Sequence, residues 1–257
     1  MAAFVPYCGE PPIPGSEVWN FDPKLLAALA LTGLCFYRLC GQAGGGNDKG
    51  RLASLCSGLL VLALAFVSPL CNVSVALFSA RATQHMIVAL IAAPLIANAL
   101  TAHDPGDRSS ALAPPLAATL VFATVFWFWH SPAAYDETLR NNAAYWLMHL
   151  STMGAALVLW LLAFRSNELA SLMVVTVTGL QMTLLGALLT FAAEPLFSVH
   201  EFTTAAWGLT RLQDQELGGL VMWVPAGLLL TGYSIFALGR LLSRMDAADR
   251  LQAKSLA

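Results

Sequence analysis

Residues 126–136 read FWFWHSPAAYD, and they end a long apolar run with aromatic rings, a histidine, a proline and an acid. Amphipathic aromatic side chains concentrate where membrane helices reach the water interface. The three rings at 127–129 stand directly before His130 and Pro132. The stretch therefore indicates a membrane helix that ends at such an interface.

The composition of the whole chain agrees with this interpretation. The sequence is 58% hydrophobic and 11% charged over 257 residues, whereas a soluble domain carries about 25% charged residues. This balance predicts a polytopic membrane protein in contact with lipid. The chain has thirteen basic and fifteen acidic residues. Because it lacks the excess of positive charge that nucleic-acid-binding proteins carry, we expect no nucleic-acid partner. The first residues show no basic region followed by an apolar one, so we expect no cleaved signal peptide.

Apolar stretches long enough to cross a bilayer, about 20 residues each, number seven. They run approximately over 23–40, 52–71, 77–100, 111–129, 143–164, 169–191 and 217–242. The predicted fold class is all-α, with seven transmembrane helices in a single transmembrane domain over 1–257. Within it we expect an outer N-terminal segment (1–22), the bundle (about 23–242) and a cytoplasmic tail (243–257).

The placement of Lys and Arg predicts the orientation, because cytoplasmic loops carry the excess of these residues. With the N-terminus outside, the inner side holds Arg38, Lys49, Arg51, Arg108, Arg165, Arg240, Arg244, Arg250 and Lys254. The outer side then holds Lys24, Arg81, Arg140 and Arg211. Nine against four favours an N-out, C-in orientation, and in a bacterial cell the outer side would be the periplasm or the cell exterior.

Three histidines fall on the predicted outer side: His85 in the third span, His130 at the end of the fourth and His149 in the fifth. A metal-capable residue inside a span is a functional candidate by default. The alternative is that each imidazole hydrogen-bonds a neighbouring helix and stabilises packing. Asp214 precedes the last span, where a carboxylate can equally cap that helix.

Further polar and soft side chains accompany these histidines. Arg81 lies four residues before His85 on the same helical face, and we expect it to pair with Asp136 or Asp214, or to snorkel to the surface. Met153 lies one turn from His149. A thioether is a soft donor suited to Cu(I), but methionine is also an ordinary gap-filler between helices.

The five cysteines are Cys8, Cys35, Cys40, Cys56 and Cys71, and they form no CxxC pair or zinc-like spacing. Most fall in apolar runs, where a cysteine is usually a small buried hydrophobe. Cys8 and Cys71 fall on the predicted outer side, which leaves a disulfide open as an alternative.

No catalytic motif is present: the sequence lacks GxSxG, HExxH and a P-loop. His200 and Glu201 form a pair that could titrate in a predicted exposed loop. The sequence therefore predicts a protein that is not an enzyme.

Four motifs together resemble the CtaG family of cytochrome c oxidase assembly factors. They are FSARATQH (78–85), FWFWHSPAAYD (126–136), WLMHL (146–150) and LQDQELGGLVMWVPAG (212–227), and the resemblance covers roughly residues 55–242. It implies a seven-helix protein of the bacterial inner membrane that helps copper reach a haem-copper oxidase, with oxidase subunits as partners and a periplasmic copper chaperone as a further one.

The resemblance also implies a site in which Cu(I) is held transiently by His85, His130 and His149. The residues expected to support these ligands are Asp214, Gln215, Gln84, Arg81, Asp136, Tyr135 and Met153. The chain departs from the family pattern where Arg81 and Tyr145 replace histidines and Met148 replaces an acid.

Two other functions stay open at this point. The replaced histidines favour an accessory subunit that is stably bound to an oxidase without a metal site. His85 and His149, at similar depth on two helices, would also suit the axial ligation of haem b in a membrane cytochrome.

Overall fold

The computed structural model describes residues 5–42, 48–101 and 111–255, and its regular elements in these ranges are helices. The α-helices are α1 (Pro23–Gln42), α2 (Asp48–Val67), α3 (Pro69–Ala76), α4 (Phe78–Ile87), α5 (Ala93–Leu100), α6 (Ala113–Trp129), α7 (Pro132–Thr138), α8 (Asn142–Arg165), α9 (Glu168–Thr190) and α10 (Arg211–Ser255). The predicted all-α class is confirmed. Arg108, used for the predicted orientation, lies outside the described residues, as do the side chains of Cys40, Arg250 and Lys254.

Five helical segments are long and apolar enough to cross a membrane, and α6 with α7 makes a sixth if this pair, bent by 73°, counts as one span. The five are Lys49–Val67, Phe78–Leu100, Asn142–Arg165, Glu168–Thr190 and Arg211–Met245. The described residues therefore support a polytopic membrane protein. The first predicted span, 23–40, coincides with α1, and its crossing of the membrane stays a prediction.

The second predicted span is wrong at its C-terminal boundary. It was expected to run to residue 71, but α2 ends at Val67 and α3 begins at Pro69. Between them Ser68 caps α3 by accepting a hydrogen bond from the backbone N–H of Leu70. Proline is favoured in the first turn of a helix, where its missing N–H has no partner to lose, so the chain restarts here.

The third span is continuous but not uniformly α-helical. A π-helical turn, Val88–Ala92, joins α4 to α5 immediately before Pro94. Proline lacks an N–H and clashes with the carbonyl four residues before it. The wider turn accommodates Pro94 without ending the helix, and it lies directly after the turn that carries His85.

Glycines let α10 approach its neighbours closely. A Cβ at Gly218 would overlap the ring of Phe78 on α4, and one at Gly219 would overlap Thr190 Oγ1 on α9. At Gly186 of α9 a Cβ would lie 2.9 Å from the carbonyl oxygen of Gly219. Side chains at these positions would separate the helices, which explains the GG pair of the last motif.

The N-terminal segment before α1 packs on the end of the bundle that carries α3, α7 and the 191–210 loop, which we call the site end. Cys8 forms a disulfide with Cys71 of α3, so the alternative that the sequence left open for these two is the one that the structure shows. Tyr7 stacks on Tyr145 with ring centroids 5.2 Å apart. The free thiols of Cys35 and Cys56 are exposed on the helix surface.

Candidate functional site

Three imidazoles from three different helical segments meet at the site end. The ring of His85 on α4 lies with its centroid 5.3 Å from that of His130, which follows α6, and 5.3 Å from that of His149 on α8. All three side chains are buried. The fold thus brings together the three histidines that the sequence placed on one side, and we call them the imidazole cluster.

Backbone carbonyls hold two of these rings in a defined orientation. His130 Nδ1 lies 2.7 Å from the carbonyl oxygen of Phe126, and His149 Nδ1 lies 3.0 Å from that of Tyr145. A carbonyl oxygen only accepts, so each Nδ1 carries the proton and each Nε2 keeps a free lone pair. Neither Nε2 has a hydrogen-bond partner, and neither nitrogen of His85 has one.

Unused hydrogen-bonding capacity is concentrated around the imidazole cluster. Nine buried side-chain nitrogen and oxygen atoms in the described residues have no partner, and six belong to this region: Arg81 Nη1, Gln84 Oε1, both ring nitrogens of His85, His130 Nε2 and His149 Nε2. Buried polar atoms are normally satisfied. Such a concentration is typical of a site that serves a ligand rather than packing alone.

Arg81 is fully buried beside the cluster. Its Nε donates to the hydroxyl of Ser74 and its Nη2 to the Ser74 carbonyl, both at 3.2 Å. The guanidinium lies 5.3 Å from the centroid of the Tyr145 ring. No carboxylate in the described part of the chain forms an ion pair with it. The predictions that Arg81 pairs with Asp136 or Asp214, or snorkels, are therefore wrong.

Asp214 caps a helix that is not its own. Its carboxylate accepts hydrogen bonds from the backbone N–H of Phe78 (2.6 Å), the backbone N–H of Ser79 (3.1 Å) and the Ser79 hydroxyl (2.5 Å). Leu77, the residue at the N-cap of α4, has no side chain that can do this. Asp214 therefore stabilises the start of α4, two turns before His85, instead of capping α10.

The two glutamines connect backbone segments around the site. Gln215 accepts from the Leu196 N–H at 2.7 Å and donates to the Leu189 carbonyl at 3.1 Å, which attaches the loop after α9 to α10. Gln84 donates to the Ala65 carbonyl of α2 at 2.7 Å. Both glutamines connect backbone segments, and of the two only Gln84 leaves a side-chain oxygen without a hydrogen-bond partner beside the imidazoles.

The polar residues of α7 pair with the long loop. Asp136 accepts from the backbone N–H of Ser198 at 3.2 Å and from its hydroxyl at 2.5 Å. Tyr135 shares a hydrogen bond of 2.8 Å with His200 Nε2. His200 is buried, so the expectation of an exposed titrating pair is wrong for this residue, and burial lowers the pKa of His200 to about 3.

The methionines are mainly packing residues. Met148 and Met222 are fully buried in the core, and Met153 is half-buried against core residues of neighbouring helices. Met86 is buried one residue after His85. These contacts match the gap-filler interpretation of methionine.

The imidazoles do not converge as a ready-made metal centre. No group of three or more His, Cys, Asp or Glu side chains in the described ranges is arranged to hold an ion. His85 meets its two neighbours edge to face, at 81° and 69°. The donors, three buried imidazoles packed among aromatic rings, nevertheless suit a soft, low-coordinate cation such as Cu(I).

Sequence reasoning missed two contacts of Arg81 at the site, with Ser74 as its anchor and with Tyr145 as its aromatic partner. It left a third contributor, the Cys8–Cys71 disulfide next to Tyr145, only as an alternative. The backbone is extended at Leu77, between Ser74 on α3 and Arg81 on α4. Helical spacing along the sequence therefore does not predict the contact between these two side chains. The Tyr145 hydroxyl lies 3.3 Å from Cys8 Sγ and 3.7 Å from Cys71 Sγ. Only the paired outer-side cysteines gave a signal for these contacts.

Comparisons with known proteins give one family. Neither the curated proteins nor the solved structures provide a match to the chain. A family model described as "Cytochrome c oxidase caa3 assembly factor (Caa3_CtaG)" matches residues 33–244, which include the imidazole cluster, Arg81 and Asp214 but not Cys8. The match covers most of the chain and confirms the predicted relationship, so this protein belongs to the caa3-type cytochrome c oxidase assembly factor family.

Proposed function

We propose that this assembly factor assists copper insertion into a haem-copper oxidase and holds Cu(I) transiently on His85, His130 and His149. The observation that carries the proposal is the meeting of three buried imidazoles from three helices, each with a free Nε2. We expect no catalytic turnover, since the role is to hold and release a metal that is cargo.

Cu(I) accepts few ligands and tolerates imidazole nitrogen well. The carbonyls of Phe126 and Tyr145 fix the orientation of two rings, and His85, whose ring nitrogens have no hydrogen-bond partner, packs against both of these rings. Two imidazoles can therefore bind the ion while the third receives it or passes it on. A weak, incomplete site of this kind favours release, which a delivery protein requires.

The same proposal gives the protein seven spans, with its N-terminus and its site end outside. In its support, Arg51 and Arg165 lie at helix ends, and Arg240 and Arg244 lie in the C-terminal half of α10, where they form ion pairs with Glu168 at the start of α9. Cytoplasmic ends carry the excess of positive charge. The site end would then face the periplasm of a bacterial inner membrane, where a copper chaperone could supply the ion and oxidase subunits receive it.

The test is Cu(I) binding by the purified protein in mild detergent, measured anaerobically against a chromophoric Cu(I) chelator. We expect about one Cu(I) per oxidised chain, with His85→Ala or His149→Ala weakening binding at least tenfold. His103→Ala is the matched control, because His103 lies between the third and fourth predicted spans. Unchanged affinity in both cluster variants would overturn the proposal.

A second candidate is an accessory subunit without a metal site, and the buried cation of Arg81 favours it. A positive charge without an ion-pair partner in the described residues repels Cu(I) next to the imidazoles. Metal-free protein that purifies with an oxidase in fixed stoichiometry would support this candidate. A haem b site is not favoured, because the rings of His85 and His149 are in contact and leave no space for a porphyrin.

A further inference from the structure

We propose that Cys8 and Cys71 form a second, redox-controlled copper site, which binds one Cu(I) between two thiolates after the disulfide is reduced. The inference rests on the proposed copper function and extends it to residues that lie partly outside the family match, since Cys8 precedes residue 33. Thiolate sulfur is the ligand type that most strongly selects Cu(I).

The geometry keeps the two sulfurs adjacent independently of the covalent bond. The side chain of Asn72, next to Cys71, donates to the backbone carbonyls of Cys8 (2.9 Å) and Glu10 (3.0 Å) and accepts from the N–H of Val18 (3.2 Å). These three hydrogen bonds attach the N-terminal segment to α3. Reduction would therefore leave two thiols facing each other, the arrangement that a two-coordinate Cu(I) ion requires.

The local charge favours such a complex. A Cu(I) ion between two thiolates carries a net charge of −1. The guanidinium of Arg81, which has no ion-pair partner among the described residues, lies over the ring of Tyr145, whose hydroxyl contacts both sulfurs. A buried cation without a counter-charge is destabilising. An anionic copper complex beside Tyr145 would supply the missing counter-charge.

The thiol pair also lies on a short route to the imidazole cluster. The ring of Tyr145 separates the two sulfurs from His149, and its centroid is 4.4 Å from that of the imidazole. Copper bound by the cysteines would thus be one aromatic ring away from the proposed nitrogen ligands. The cysteines would receive the ion, and the histidines would hold it for transfer.

The chemistry balances with a dithiol reductant of the thioredoxin type. Thiol–disulfide exchange breaks the Cys8–Cys71 bond, protonates both sulfurs and converts the reductant to its own disulfide. Binding of Cu(I) then forms two Cu–S bonds and releases two protons, with no change in the oxidation state of copper. Reduction acts as the switch because a disulfide has no thiolate to offer.

The experiment compares oxidised and reduced wild-type protein in detergent, titrated anaerobically with Cu(I) against the chelator bathocuproine disulfonate. We expect reduction to add about one Cu(I) per chain, with Cu–S scattering in X-ray absorption spectra. Cys8→Ser and Cys71→Ser should abolish this gain. Cys35→Ser and Cys56→Ser, which alter the exposed thiols, should retain it.

Equal copper binding before and after reduction would overturn the inference. Loss of the helical circular dichroism signal on reduction would also overturn it, because the disulfide would then be required for the fold itself. The two proposals fail separately. A gain on reduction together with no effect of His85→Ala would refute the imidazole site alone, whereas a His85-dependent site without a gain would refute the thiol site alone.

Discussion

At the scale of single residues, the carboxylate of Asp214 takes the place of a cap that α4 lacks. The first N–H groups of a helix have no partner within the helix, and Leu77 cannot accept from them. Asp214 accepts from two of these groups although it lies 136 residues from Phe78 in sequence. The orientation of α4, and with it the position of His85, therefore depends on α10.

The substitution Asp214→Asn tests this dependence. The amide keeps one acceptor oxygen and loses the charge, so we expect the protein to lose about 1–2 kcal/mol of stability and to bind Cu(I) more weakly. Thermal unfolding in detergent and the copper titration measure the two effects. Glu216→Gln, the same change two residues away on α10, is the matched control. An equal effect of both variants would contradict the capping role.

His200 provides a test by pH. Burial lowers the pKa of this imidazole to about 3, below the ordinary histidine value of about 6.5. Between these values the unfolded chain takes up a proton that the folded chain excludes, so stability falls as pH falls from about 6.5 towards 3. The slope from this residue is at most about 1.4 kcal/mol per pH unit.

We therefore expect His200→Gln to reduce the loss of thermal stability between pH 7 and pH 5, measured against wild type in the same detergent. The glutamine amide can still accept from Tyr135, which limits the effect on packing. Parallel stability curves for the two proteins would show that His200 does not contribute to the pH dependence.

At the scale of helices, close approach of α10 determines the position of α4. The ring of Phe78 fills the space that a side chain at position 218 would need, and it stacks on Phe197 with centroids 4.3 Å apart. A well-packed interior cannot accept extra volume without moving neighbouring elements. The glycine pair of α10 thus sets the distance between the capping carboxylate and the helix that it caps.

Gly218→Ala should accordingly destabilise the protein by about 1–3 kcal/mol, the usual effect of overpacking, as a lower unfolding temperature in detergent. Gly154→Ala on α8 is the control, since a Cβ there meets nothing within 4 Å, and alanine is the better helix former. Retained stability in Gly218→Ala would show that Phe78 can move aside.

At the scale of the whole molecule, the proposed orientation can be tested with impermeant maleimide on intact cells. Glu201→Cys places a thiol on the exposed part of the 191–210 loop, and Ser243→Cys places one on exposed α10 near the opposite end. We expect labelling of the first in intact cells and of the second only after lysis, because the positive-inside rule puts the site end outside. The reverse pattern would invert the topology.

Much of the architecture could be predicted because the energetic signal is local. Each segment that must satisfy its own backbone hydrogen bonds in lipid shows a run of apolar residues, and every predicted span overlaps a helical segment, although the second is divided between α2 and α3. The break at Ser68 escaped prediction because apolar residues continue across it. The family relationship followed from motifs that are contiguous in sequence, and the match over 33–244 confirms it.

The roles of Arg81 and Asp214 could not be predicted in the same way. Both are charged residues on the same predicted side, and attraction of opposite charges made a pair the simplest expectation. The fold instead directs Asp214 to the N–H groups of α4 and Arg81 to Ser74. Which of several acceptors a charged group reaches depends on helix order and rotation, which spacing along the chain does not encode.

The sequence by itself determined that this is a helical membrane protein of the oxidase assembly family with three histidines towards one side, since hydropathy and short motifs depend on neighbours in the chain. Only the tertiary structure decided that the ring of His85 lies against those of His130 and His149, that Cys8 meets Cys71 and that Arg81 is buried without an ion-pair partner in the described ranges. The physical reason is that these contacts join segments far apart in sequence, and their geometry is set by how the helices pack.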